Sequence, residues 1–166
     1  RRPPRSTRKE SSAASDVYKR QALAKAIKEE GSTTPICFVG SHVSALPFEV
    51  LKNESCVDFV LCNEGVYEIR NLLKTNIYDN EALAQIKGIG YRKNGRPVLT
   101  TPEQIVSQER MDIDLPGYAW DLLPYDKKPL DLYRAHFWHA EYDHEKRSPF
   151  AAIYTSLGCT FKCDFC

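Results

Sequence analysis

The chain has 166 residues, enough for about one domain with a sizeable core. Hydrophobic residues make up 42% and charged residues 27%, which excludes a chain that stays disordered throughout. With 23 basic and 22 acidic side chains the net charge is +1, which excludes a strongly basic nucleic-acid binder. No apolar run reaches the roughly 18 residues of a membrane span, and no secretory leader is visible, so a cytoplasmic protein is expected.

Residues 1–21 (RRPPRSTRKESSAASDVYKRQ) lack hydrophobic periodicity. They could be a basic arm for nucleic acid, but Ser11 to Gln21 resembles the in-frame translation of a transposon-derived sequencing adapter. Residues 1–21 are therefore expected to be a disordered, non-native scar. Without them the chain carries 16 basic and 20 acidic residues, a net of −4, and the electrostatic case for nucleic acid disappears. Because the chain stops on Cys166 with no cap or tail, it is expected to be an internal stretch of a longer protein.

Ala22 to Glu30 contains good helix formers, with Leu23, Ala26 and Ile27 expected on one face and Gly31 as the terminator. Ile36 to Val39 is a short apolar run, the pattern of a buried parallel strand. The loop Gly40-Ser41-His42 follows, and Pro47 opens a helix presenting Phe48, Val50 and Leu51. Val57 to Leu61 reads as a second strand, Asn63-Glu64-Gly65 as a second loop, and Val66 to Leu73 as an amphipathic helix with Val66, Ile69, Leu72 and Leu73 inward. This alternation predicts a parallel pair with helices on its faces. Asn94-Gly95 signals a type I′ hairpin between Ile86–Tyr91 and Arg96–Thr100. Gly88 and Gly90 weaken its first strand, so the hairpin is expected as an edge or appendage. The Pro-, Asp- and aromatic-rich stretch 101–148 reads as an interdomain connector with one or two short helices. Residues 149–166 then begin a further domain with the strand Phe150 to Ser156.

The six cysteines fall into two sets. Cys37, Cys56 and Cys62 lie in or beside apolar strands, where a thiol packs as a small hydrophobe. Cys159, Cys163 and Cys166 form C-x3-C-x2-C on a loop after a strand. Three soft ligands suit iron–sulfur or zinc, and three ligands leave one metal position open.

This motif, with Phe165 before its last cysteine and FAAIYTSLGC before its first, resembles the radical S-adenosylmethionine (SAM) superfamily. The resemblance implies that Cys159, Cys163 and Cys166 hold a 4Fe–4S cluster, whose open iron binds SAM, and that Phe165 lines the adenine side. It also implies an electron donor such as flavodoxin or ferredoxin, reductive cleavage of SAM to a 5′-deoxyadenosyl radical, and a small-molecule substrate. Upstream, LAKAIKEEG, PICFVGSHVSALPFEVLKN and VDFVLCNEGVYEIRNLL resemble the later half of the cobalamin-binding domain that precedes the barrel in one branch of the superfamily. That branch includes methyltransferases and a magnesium-porphyrin ester cyclase. The implied fold is α/β: a partial Rossmann-like sheet of the cobalamin-binding type over 22–100, the connector 101–148, and the first strand and cluster loop of a barrel over 149–166. The resemblance places Gly40, Ser41, His42, Glu64 and Gly65 toward the cobalamin tail, in agreement with the rule that open parallel sheets bind ligands at strand carboxyl ends. The branch's D-x-H-x-x-G loop for cobalt does not occur in this sequence.

Other readings stand beside these. His42 could contact a ligand or cap the next helix, and Glu64 could bind a ligand hydroxyl or sit at a helix N-terminus. His136, His139 and His144, with Glu141 and Asp143, could form a metal cluster but read better as a solvated face. Trp120, Phe137 and Trp138 read as packing residues. A rival from another class is a non-catalytic Rossmann-like binding module with a zinc-binding cysteine loop.

Overall fold

The structure, a computed structural model, describes residues 12–123, 141 and 143–148. Helix α1 spans Ser12–Glu29, across the boundary expected at residue 21. No Gly or Pro interrupts that stretch, and Ala, Lys, Arg and Gln propagate a helix without needing an apolar face. The expected disorder is thus replaced by helix from Ser12 onward, and residues 1–11 lie outside the described residues. The buried residue of α1 is Ala24, while Leu23 and Ile27 stand exposed along a groove beside Ile36 to Val39. The helix stops as anticipated: Gly31 takes φ 83°, its N–H donates to Lys28 O (3.0 Å), and Ser32 N–H donates to Ile27 O (3.3 Å).

The chain continues as β1 (Cys37–Val39), α2 (Ser41–Ala45), α3 (Pro47–Asn53), β2 (Phe59–Leu61), α4 (Val66–Leu73), α5 (Asn80–Ala84), β3 (Ile89–Lys93) and β4 (Arg96–Leu99). The sheet order is β1-β2-β3-β4. β1 and β2 pair in parallel, Cys37 opposite Phe59 and Val39 opposite Leu61, as the alternation of elements requires. The hairpin is where expected, with Asn94 (φ 52°) and Gly95 (φ 76°) forming its turn. It is not an appendage, however. β3 pairs antiparallel with β2, Val60 opposite Gly90, so the sheet is mixed rather than purely parallel. The glycines that seemed to weaken β3 allow this docking. A Cβ on Gly90 would stand 2.5 Å from both Leu99 Cδ2 and Val60 Cγ2.

The core forms on both faces of β2. Val60 joins Val43, Val50, Leu51 and Val57 on one side. Phe59 and Leu61 join Leu72, Leu83, Ile86 and Tyr91 on the other. A strand covered on both sides explains the unbroken apolar run that betrayed it. Each fully buried aliphatic side chain is worth about 1.5–3 kcal/mol over exposure. Arg92 fastens the hairpin to this core: its guanidinium donates to Val57 O and Leu51 O (2.6 Å each) and to Glu54 O (2.7 Å). These carbonyls terminate α3 and lead into β2, and a buried fork of donors satisfies them together.

The chain divides into two compact units, Arg1–Val106 and Ser107–Cys166, so the segment following β4 belongs to the first unit and not to the connector expected from residue 101. In the second unit the described residues form short pieces only: 3-10 turns at Gln108–Arg110, Trp120–Leu122 and His144–Lys146, and α6 (Met111–Asp114). Arg110 grips Asp114 with two hydrogen bonds (2.9 and 3.0 Å), and the rings of Tyr118 and Trp120 stack at 5.0 Å. The expected strand at 150–156 lies outside the described residues. Among the described residues, no helix is long and apolar enough to cross a membrane.

Candidate ligand-facing loops at the strand ends

The two loops singled out by sequence lie side by side at the carboxyl ends of β1 and β2. A direct bond joins them: Asn63 N–H donates to Ser44 Oγ at 2.9 Å. Gly40, Ser41, His42, Glu64 and Gly65 therefore share the carboxyl end of the parallel strand pair, the end at which open α/β sheets generally bind ligands.

Gly40 leaves β1 with φ 120° and ψ −180°, a conformation essentially reserved for glycine, and precedes the short helix α2. Its carbonyl accepts from Ser44 N–H at 2.9 Å. An added Cβ there would clash with nothing but would lie in van der Waals contact with the Arg20 guanidinium at 3.8 Å. Ser41 is exposed and His42 half-buried, while Val43 anchors the turn in the core. His42 thus lies within α2 itself, as its second residue.

Gly65 follows β2 and serves a different purpose. It is left-handed at φ 74°, and a Cβ there would stand 2.9 Å from Val39 Cγ2 and 3.4 Å from Leu61 Cβ. Its missing side chain lets α4 start directly against the two strand ends. Glu64, one residue earlier, accepts a hydrogen bond from Val106 N–H at 3.2 Å. The carboxylate therefore has a partner within the chain, an occupation that neither sequence reading anticipated.

α4 has the expected limits, but its buried face is rotated. Tyr67, Glu68 and Leu72 are buried, whereas Leu73 is 79% exposed. Glu68 is only 3% exposed. Burial pushes its carboxyl pKa up, Glu103 and Glu64 add to the rise, and its own backbone N–H pulls the other way. Sequence reasoning missed Glu68 because a glutamate in an amphipathic helix defaults to the wet face. The available signal was its i, i+4 relation to Leu72.

Cys37, Cys56 and Cys62 are free thiols. Burial raises the thiol pKa of Cys37, with Asp58 adding to it, and of Cys62, with Glu68 adding to it. Neutral packed thiols are the result, in keeping with their reading as small hydrophobes. Cys159, Cys163, Cys166 and Phe165 lie outside the described residues, as do His136 and His139. Asp143 accepts from Glu145 N–H, and Glu141 pairs with Lys146 at 3.3 Å. Among the described residues, no three His, Cys, Asp or Glu side chains are grouped to hold a metal ion.

No family model matches the chain. It is similar to an uncharacterized methyltransferase of Pyrococcus horikoshii, 29% identical over 152 residues. The match covers 92% of this chain and 29% of the relative, so the chain spans under a third of that protein's length.

Proposed function

We propose that this chain is part of a methyltransferase that uses SAM. The observation that carries this reading is the similarity to the P. horikoshii methyltransferase across 92% of the chain. The cysteine motif refines it. Cys159, Cys163 and Cys166 would hold a 4Fe–4S cluster, because three thiolates are soft donors and leave one iron free for SAM. Phe165 would lie beside the adenine. The cluster, when bound, supplies the electron for reductive cleavage of SAM, drawn from a donor such as flavodoxin or ferredoxin, with a small molecule as substrate.

The paired loops would form the floor of a second cofactor site, of the cobalamin type. What supports this is the glycine-only turn at Gly40, where a Cβ would have room beside Arg20, next to Ser41 and His42. Gly65 has no such space and acts by holding the loops together. Glu64 already spends one carboxylate oxygen on Val106 N–H, which leaves the other for a ligand.

Anaerobic reconstitution with iron and sulfide tests the proposal. The 166-residue chain alone should bind iron weakly and be inactive. In the full-length parent, wild type should bind one cluster per chain and absorb broadly in the visible, and Cys163→Ala should lose most of its iron and all SAM cleavage. Equal iron in both would remove the cluster. Zinc without visible absorption would favour the binding-module alternative.

A further inference from the structure

We propose that Glu64, Glu68 and Glu103 form a proton-dependent latch that holds the segment Thr101 to Val106 across the loop after β2. The segment leaves β4 and ends at the last residue of the first unit. It is fastened at both ends. Gly88 N–H donates to Thr101 O at 2.7 Å, and Val106, itself buried, donates its N–H to Glu64 Oε2 at 3.2 Å. Between these points Gln104, Ile105 and Val106 share a narrow cleft with Glu64, Tyr67 and Glu68. Gly88 makes room for the acids: a Cβ there would stand 2.5 Å from Glu68 Oε1 and 2.8 Å from Glu103 Cβ.

Three glutamates thus stand around Gly88 and the cleft, from α4, the β2–α4 loop and the segment itself, with the Glu103 carboxylate accepting from Gln104 N–H at 2.9 Å. Burial, and after it Glu68, raises the thiol pKa of neighbouring Cys62. Glu68 alone of the three is buried, and burial with two acidic neighbours favours a proton on it. With that proton in place the segment lies down without repulsion. Once it is lost, three negative charges oppose one another. The moving part is then the segment, because α4 is anchored in the core by Leu72 and jammed at its start by Gly65.

The sign follows from linkage. Glu68 has a pKa raised above the ordinary 4.5 in the closed arrangement. Closing is therefore favoured in acid and weakens as pH rises through the raised value. The segment is bonded to the loop Asn63-Glu64-Gly65, so its release frees Glu64 and uncovers that loop. The latch does not depend on which ligand uses the loop, and it survives if the cluster assignment fails.

Hydrogen exchange of the Thr101–Val106 amides in the full 166-residue chain tests it, across about pH 5 to 8 and corrected for intrinsic rates. In wild type, protection should fall with rising pH by up to about tenfold per unit over part of that range, the slope of one linked proton. Glu68→Gln should keep the acid-level protection and abolish the slope. Equal slopes in the two proteins, or protection that rises with pH, would overturn the latch. If Glu68→Gln fails to fold by circular dichroism, Glu103→Gln on the half-buried segment decides. It should shrink the total loss of protection over the pH range, because Glu68 keeps its burial but loses one acidic neighbour, and an unchanged loss would refute the proposal.

Discussion

The loops after β1 and after β2 look alike in sequence, each a parallel strand running into a glycine-containing turn and a helix, yet their glycines do opposite things. Gly40 supplies a backbone conformation that only glycine adopts readily, with room for a Cβ beside Arg20, while Gly65 lets two strand ends and a helix touch. A glycine at a strand end thus does not by itself mark a ligand. The surrounding atoms decide whether its missing side chain is filled by protein or left for something else.

The largest effect should come from Gly65→Ala. It combines left-handed strain with a methyl group driven into Val39 and Leu61, and should cost about 3 kcal/mol by denaturant titration. Gly40→Ala pays for strain alone, about 2 kcal/mol, since nothing lies within contact of its Cβ except Arg20 at 3.8 Å. If the two variants lost equal stability, the packing half of the contrast would be wrong. Ser44→Ala removes the acceptor that ties the loops together and should cost about 1 kcal/mol. A double-mutant cycle of Ser44→Ala with Gly65→Ala would show whether the loops are coupled, and strict additivity would mean that they are independent. The smallest effects belong to the thiols. Cys37→Ala should cost about 1 kcal/mol of packing. Alkylation of Cys37 and Cys62 should reach half its maximal rate only above pH 9.0, the ordinary thiol value. Rapid labelling at neutral pH would contradict their burial.

What was legible locally came out as read. The Asn94-Gly95 turn, the Gly31 terminator, Pro47 at a helix start and the limits of α4 each depend on residues close together in sequence. The five-residue helix α5 escaped because it is too short to show a period. Its only advance signal was Asp79, whose side chain caps Glu81 and Ala82 N–H. At the candidate site, the loops were found through the strand pattern, but Ser44, Glu68 and Val106 were not.

The sequence alone determined the order of elements, the parallel pairing of the first two strands and the cysteine motif, because backbone propensity, apolar runs and ligand spacing are all short-range properties. Tertiary structure alone decided that Gly90 seats the hairpin against β2, that Arg92 closes the end of α3, and that Glu68 faces inward beneath a segment more than thirty residues later. Each of these rests on how closely distant chain segments approach. The same glycine or glutamate is a breaker, a spacer, a surface charge or a buried acid according to what the fold brings within a few ångströms of it.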